Sequence, residues 1–533
     1  MSDEQSTTAD GGEFERERVP ESRLLGFRSF IGMYAGEHCA GTELMIGPLF
    51  VAAGVSAFDV VVGLLVGNAL AVLSWMLLTA PIAVRARLTL YYQLERICGR
   101  KLVTLYNLAN GVMFCFLAGS MITVSATALG VWTGFDMPSL NDVYPNSAGW
   151  VAAVLGLGLA ISIVAAFGYT AVARFANLAS PWMVLVFLAF GLVALKNFMV
   201  ATGTEVRSAR DLWHLAETAI WTGGEPLPGK LKFTFWHVMF FAWFCNMAMH
   251  IGMSDLSVFR FARKSWYGVA TASGMYVGHF MAWLAAAMLF AFQLHSSRPD
   301  ENLTDLLVTH GEGAYTTESL QNAPLTAELV RRGMEIEDQL VAEGIITADQ
   351  KRVGPPTPLP GPLAYSACGV AGLICVIVAG WTTANPTIYR AGLAFQAIMP
   401  RMSRRAVTFA TGMLATAAGL FPAIAMQLLD FVALYGMLLM PMGAVVFVDF
   451  WLLEKLGLKN EYAARVGSSF NMAAALTWGL TLAACLGAVR YFGRDYMFFV
   501  SLPGWFLAVA LYVVLSAALQ RRDAGVASYN ALP

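Results

Sequence analysis

The sequence predicts an all-α polytopic membrane protein with about twelve spanning helices. Three observations carry that expectation. The 533 residues are 57% hydrophobic and only 13% Asp, Glu, Lys or Arg, about half the charged share of a soluble protein at roughly 25%. Twelve apolar segments reach the length of about 20 residues that a spanning helix needs. The first and sixth of these are interrupted by glycine and ionisable residues, the pattern of a discontinuous helix that holds a site at mid-bilayer.

The segments run over residues 30–53, 57–81, 103–130, 149–168, 175–198, 233–259, 266–293, 362–388, 405–427, 429–454, 469–490 and 496–519. The first reads FIGMYAGEHCAGTELMIGPLFVAAG, with Glu37, His38 and Glu43 among Gly36, Gly41 and Gly47. An ionisable residue at mid-bilayer costs about 2.5–3.5 kcal/mol on insertion scales, so such groups imply function or a compensating partner. Glycines let the helix unwind and free carbonyls for a cation. The sixth segment mixes His237, Asn246, His250, Ser254 and Asp255 into an aromatic run that includes Trp243, with Gly252 as a break point. In an inverted-repeat architecture the first and sixth spans are symmetry partners. The eighth carries the adjacent hydroxyls Thr382 and Thr383, then Asn385 before Pro386, a hard-oxygen set suited to Na⁺. The third offers Asn107, Asn110, Phe116, Ser120 and Thr123; Asp430 and Asp449 fall at the ends of the tenth; His279 in the seventh reads as structural.

Between spans, residues 85–101 read as an amphipathic interfacial helix, and the loop at 294–361 as an external cap with a helical stretch and a Pro-rich spacer. Short loops on the N-terminal side carry Arg85, Arg87, Arg96, Arg100, Lys101, Arg174, Arg260, Arg263, Lys264, Arg401, Arg404 and Arg405. The opposite short loops after the first, third and ninth spans carry no Lys or Arg, which puts both termini in the cytoplasm. The expected organisation is a cytoplasmic tail at 1–29, a transmembrane domain at 30–520 that includes the external loop, and a cytoplasmic tail at 521–533. No secretory leader is expected ahead of the first span.

A formal net charge of −1, with no basic tract, excludes nucleic acid as a partner. Seven cysteines without a CxxC pair read as packing residues. There is no P-loop, Rossmann glycine pattern or HExxH, so no enzyme and no cofactor is expected.

Three stretches resemble the nucleobase–cation symporter family one, the permeases for cytosine, purines, allantoin and hydantoins. The tenth segment, YGMLLMPMGAVVFVDFWLLEK at 435–455, is similar to that family's tenth span at Tyr435, Gly436, Pro441, Asp449 and Trp451, with Phe450 for Tyr. SDLSVFRFARK at 254–264 resembles the close of its sixth span, and the eighth segment its Thr-Asn cluster running to Met399-Pro400-Arg401. The resemblance implies a leucine-transporter-type 5+5 inverted repeat with two further C-terminal helices. It also implies ion-coupled symport across the inner membrane. Thr382 and Thr383 would then hold Na⁺ against first-span carbonyls at Gly36 and Cys39. The substrate would meet Glu37, His38, Glu43, Phe116, Ser120, Trp243, Asn246 and Asn385. Two departures stand out. Phe116 and Ser120 replace the family's third-span Trp and Gln, and the Glu37-His38 pair and Glu43 are additions. Acidic groups favour a cationic or amine-bearing solute, or coupling to H⁺ in place of Na⁺.

The expected activity is therefore cation-coupled symport of a small nitrogen-containing solute. The alternative is a transport-incompetent sensor on the same scaffold, which would need a signalling domain that the short tail after Arg521 does not supply. A channel would show rings of charge or carbonyls.

Overall fold

Without water in the bilayer core, backbone polar groups must be satisfied within helices, and the chain obeys this almost throughout. The computed structural model describes residues 14–140, 142–311, 313–425 and 427–529; the outer parts of both predicted tails, 1–13 and 530–533, lie outside the described residues. Among them, nine helices are long and apolar enough to cross a membrane. The other three of the twelve predicted segments are the shorter helix Arg404–Gly419 and two segments broken into half-helices.

The first span is Arg28–His38 followed by Glu43–Ala52, with residues 39–42 unwound. Of the glycines expected to let the span unwind, Gly41 lies in this break and Gly36 precedes it. Gly36 is helical and serves close packing, because a Cβ there would sit 3.1 Å from that of Ala176. The sixth span is Phe235–Phe244, an irregular stretch over 245–255, then Leu256–Phe259. In that stretch the turns are loose: Asp255 N–H reaches the Met249 carbonyl at 3.1 Å, and Met253 takes a left-handed φ of 64°. A non-glycine residue held there is strained, as happens at functional sites. The freed carbonyls find donors on other spans: Thr79 Oγ1 donates to His250 at 2.6 Å and Trp505 Nε1 to Ile251 at 3.2 Å. The tenth span, Leu428–Trp451, lies directly on the unwound stretch at Gly443, where a Cβ would fall 2.0 Å from the Ile251 carbonyl oxygen.

The second span is Ala57–Ser74, a π-helical turn at Trp75–Thr79, then Ala80–Ala86. Its start is capped by Ser56, whose hydroxyl accepts from Asp59 N–H. The predicted interfacial helix is shorter than expected, Leu90–Cys98. Its apolar face is buried against the protein because Leu90, Tyr91, Leu94 and Ile97 all point inward. The eighth span, Pro360–Ile398, is kinked at Cys368–Gly369 and packs along the third, Arg100–Thr133, where a Cβ on Gly380 would overlap Ser125 Oγ. The loop at 294–361 forms three α-helices among its described residues, Glu301–His310, Thr317–Asn322 and Ala327–Ala342, around a small core of Leu303, Leu307, Leu320, Ile336 and Leu340.

Residues 14–27 form a strap across the N-terminal side of the bundle. Leu25 N–H bonds the Phe261 carbonyl at 2.7 Å, and Val19 N–H bonds that of Arg87 at 3.1 Å. Arg16 reaches the Ala397 carbonyl at 2.8 Å, and Arg260 donates to that of Phe14 at 2.7 Å.

Candidate functional site

The two broken spans meet the eighth in the middle of the bundle. Thr383 Oγ1 lies 3.0 Å from the Glu37 carbonyl oxygen and 3.0 Å from that of Ala379, and Thr382 Oγ1 lies 3.0 Å from the Ala379 carbonyl. Four neutral oxygens thus converge: two hydroxyls and one carbonyl from the eighth span, one carbonyl from the first. The first-span carbonyl opposite Thr383 belongs to Glu37, between the two positions expected from sequence, Gly36 and Cys39. Cys39 itself caps the half-helix Arg28–His38, its N–H on the Ala35 carbonyl. Glu37 lies in the last turn of its half-helix, where carbonyls lack an intrahelical donor, and a free carbonyl with hydroxyls suits a hard cation such as Na⁺. Among the described residues, no group of three or more His, Cys, Asp or Glu side chains is placed to hold a metal.

The Glu37 side chain turns the other way, onto Arg390. The guanidinium grips it with two hydrogen bonds, 2.6 Å to Oε1 and 3.3 Å to Oε2, and gives a third at 2.7 Å to Asp255. Asp255 also accepts from Tyr34 Oη at 2.8 Å and Trp75 Nε1 at 2.7 Å. All three charged side chains are buried, Arg390 completely. Bidentate geometry makes a buried ion pair tolerable; of the guanidinium nitrogens, Nε is buried without a hydrogen-bond partner among the described residues. Arg390 stands seven residues, two helical turns, beyond Thr383 and so on the same face. Glu37 therefore ties the oxygen site, through its backbone, to the ion cluster, through its side chain. The cluster joins the first, sixth and eighth spans; the second lends Trp75.

Sequence reasoning passed over Arg390. A signal existed: two carboxylates within spans, Glu37 and Asp255, demand a counter-charge, and Arg390 is the basic residue just past the Thr-Asn motif.

Glu43, His38 and Asn246 gather at the breaks. Glu43 accepts a hydrogen bond from Trp283 Nε1, His38 Nδ1 lies 2.8 Å from the Tyr34 carbonyl, and Asn246 Nδ2 lies 3.4 Å from His279 Nε2. Phe116 and Ser120 lie together elsewhere, on the third span: Phe116 stacks on Phe431 at 5.3 Å, and Ser120 donates to the Ile424 carbonyl at 2.9 Å. Trp243 and Asn385 are drawn away from both groups. Trp243 packs on Phe240 and Phe244 and donates to Ser74 Oγ at 2.9 Å. The Asn385 amide lies between the Ile161 carbonyl and the Trp381 indole, and the orientation that satisfies both donates to the first at 3.0 Å and accepts from the second at 3.1 Å. Polar side chains inside spans are satisfied by neighbouring helices unless a ligand competes.

No family model matches the chain, and no curated protein matches it in sequence. Its fold is similar to solved structures. Mhp1, a nucleobase-cation-symport-1 family transporter, closed and with bromovinylhydantoin bound, matches with a TM-score of 0.58 at 15% identity, covering 95% of this chain and 96% of that one. Inward-facing Mhp1 matches with a TM-score of 0.52 at 16% identity, covering 95% of each. A substrate-bound, outward-open Na⁺-coupled sialic acid symporter matches with a TM-score of 0.56 at 13% identity, covering 93% of this chain and 90% of that one. The architecture is the leucine-transporter type expected from the sequence.

Proposed function

We propose that the chain is a secondary active transporter: a cation-coupled symporter of a small nitrogen-containing solute, such as a nucleobase, a related heterocycle or an amine. It would sit in the inner membrane with both termini cytoplasmic. The observation that carries the reading is the double use of Glu37, whose carbonyl faces Thr383 while its carboxylate is held by Arg390 and, through it, joined to Asp255. The relatives in fold lend support, since one holds a hydantoin and another is Na⁺-coupled.

Na⁺ held by the Thr382 and Thr383 hydroxyls and the Glu37 and Ala379 carbonyls would fasten the inner half of the first span to the eighth. With that half fastened, Glu37 stays on Arg390, and the ion cluster and the residue 14–27 strap keep the cytoplasmic side shut. Loss of the cation frees the helix Arg28–His38 to swing out, taking Glu37 from Arg390 and opening that side. The solute would lie at the breaks, against Glu43, His38 and Asn246. Glu37 acts as a closure residue more than a solute contact, because Arg390 already occupies its carboxylate.

A thermal-shift screen of purified protein against nucleobases, hydantoins, amino acids and small amines, with and without Na⁺, tests this. A solute that binds only the folded state stabilises it by about 2.7 kcal/mol at a hundredfold excess over Kd. The expected hit stabilises more in Na⁺ than in its absence. If no solute raises stability under either condition, the symport reading fails.

A further inference from the structure

A cavity of about 410 Å³ lies where three helix ends meet: the close of the fifth span, Tyr169–Thr202, the close of the seventh, Trp283–Ser296, and the start of the eighth. It shares no lining residue with the breaks or the ion cluster. The far end of the eighth span, at Ala397, holds Arg16 of the strap, so the cavity belongs to the opposite face of the bundle. Its polar lining is four uncharged side chains, Asn197, Gln293, Ser296 and Ser366, and its apolar lining includes Leu289 and Phe292. Among the described residues no ionisable side chain lines it.

A cavity of this volume, apolar with a few polar groups, is the usual form of a small-molecule site. The two serines spend their single protons on their own helices. Ser296 Oγ lies 2.8 Å from the Phe292 carbonyl and 3.1 Å from that of Gln293, and Ser366 Oγ lies 2.8 Å from that of Leu363. Both hydroxyls are left to accept. The Asn197 and Gln293 amides hold no side-chain hydrogen bond among the described residues. Each amide offers a carbonyl beside an NH₂, the pairing with which Asn and Gln read a donor and an acceptor on one edge of a base. Phe292 is held edge to face by Phe198, centroids 5.3 Å apart, and adds an aromatic wall for a planar ring. An ionised ligand would enter without a counter-charge, which is costly. The surrounding spans reach the transport centre. Just beyond Ala367 the eighth breaks, Gly369 taking φ 55° and ψ −136°, and its longer piece carries Thr382 and Thr383. The seventh supports the half-helix Glu43–Ala52, where a Cβ at Gly47 would fall 2.4 Å from the Trp283 carbonyl oxygen.

We propose that this cavity is a second solute site, outside the transport centre, for a neutral planar heterocycle with N–H and C=O groups side by side, such as a nucleobase or a cyclic ureide. Its role, holding solute on the way to the breaks, rests on the symport reading; its ligand chemistry rests on the lining alone. The Asn197 and Gln293 amides pair with the donor–acceptor edges of the ring, Phe292 stacks on or against it, and the serine oxygens accept a remaining N–H. Occupancy ties the fifth span to the seventh beside the broken start of the eighth.

The test reads occupancy at the cavity wall and needs no transport. Ser296→Cys puts a thiol on that wall at the cost of a hydroxyl already spent on its own helix. Six of the seven native cysteines are buried, and the half-buried Cys368 lies in another stretch of chain. The full chain in lipid nanodiscs is alkylated with N-ethylmaleimide, and mass spectrometry follows position 296. The probes are uracil, 1,3-dimethyluracil, which lacks both N–H donors, and monoolein as a neutral lipid. Uracil should slow labelling by about tenfold at a tenfold excess over Kd, because occupancy removes the open site by a factor of one plus the ratio of ligand to Kd. Dimethyluracil and monoolein should leave the rate unchanged. Asn197→Leu and Gln293→Leu should each abolish protection by uracil, and either serves alone if the other fails to fold. Labelling that uracil does not slow, equal protection by dimethyluracil or monoolein, or protection that survives these substitutions would overturn the proposal. The last outcome would mean that the effect is transmitted from the breaks. A solute can raise thermal stability while position 296 stays open, and the reverse, so this proposal and the symport reading fail separately.

Discussion

Arg390 is one guanidinium between two carboxylates, and this makes its removal unlike the removal of either acid. Arg390→Gln leaves Glu37 and Asp255 buried and facing each other without a cation, and breaking a buried pair from one side costs about 3–5 kcal/mol. Glu37→Gln leaves a balanced Arg390–Asp255 pair, and the new amide oxygen can still accept the bond now 2.6 Å from Arg390; its cost is about 1 kcal/mol. Asp255→Asn also leaves a balanced pair, but an amide cannot accept from Arg390, Tyr34 and Trp75 as the carboxylate does. One buried donor is left unmet, at about 1–3 kcal/mol. Arg390→Lys keeps the charge but cannot fork to both acids, so it should fall near Asp255→Asn. Equilibrium unfolding of the detergent-solubilised variants, by SDS titration, would read the order Arg390→Gln, then Asp255→Asn and Arg390→Lys, then Glu37→Gln. If Arg390→Gln proves no worse than Glu37→Gln, the cluster does not carry the charge balance argued here.

Other consequences are open to measurement. Thr383→Ala should weaken Na⁺-dependent stabilisation by a bound solute more than Thr382→Ala, because only the Thr383 hydroxyl reaches the Glu37 carbonyl; equal Na⁺ dependence in wild type and both variants, by thermal shift, would discount the oxygen site. Gly443→Ala should cost about 1–3 kcal/mol in the same unfolding assay, since its Cβ would overlap the backbone of the unwound sixth span. On the N-terminal face, burial pushes the Glu461 carboxyl up, but the Arg96 guanidinium 2.6 Å away outweighs it and holds it below the usual range. A depressed carboxyl stabilises above its unfolded pKa of about 4.3 and loses that contribution as pH falls through the folded value. Stability measured from about pH 7 down to 3 should therefore fall less steeply in Glu461→Gln, by under about 1 kcal/mol for so exposed a pair.

Spans were legible because apolar length is a long-range signal that survives any packing. The breaks were legible because glycine with Glu37, His38 and Glu43, or with Asn246 and Asp255, has no place in an unbroken apolar helix. The Thr382–Thr383 pair was visible as adjacent hydroxyls, but not the identity of the opposing carbonyl, because a carbonyl leaves no trace in side-chain chemistry. Arg390 was hidden by its place just past the predicted end of the eighth segment at residue 388; the helix that follows the kink at Cys368–Gly369 continues to Ile398 and carries it inside the protein. Trp243 and Asn385 show the opposite limit: their residue types suit a ligand, yet Ser74, Trp381 and Ile161 engage them. Helix partners of this kind arise from tertiary packing and cannot be read from spacing along one span.

The most direct test of the account is solute uptake into proteoliposomes holding the purified chain, using a compound that raises its thermal stability. An inward Na⁺ gradient should drive accumulation above the external concentration, collapse of the gradient should abolish it, and Thr383→Ala should lose most of it while the protein remains folded. Uptake that only equilibrates across the membrane, with or without Na⁺ and alike in Thr383→Ala, would contradict cation-coupled symport through the Glu37–Thr383 site.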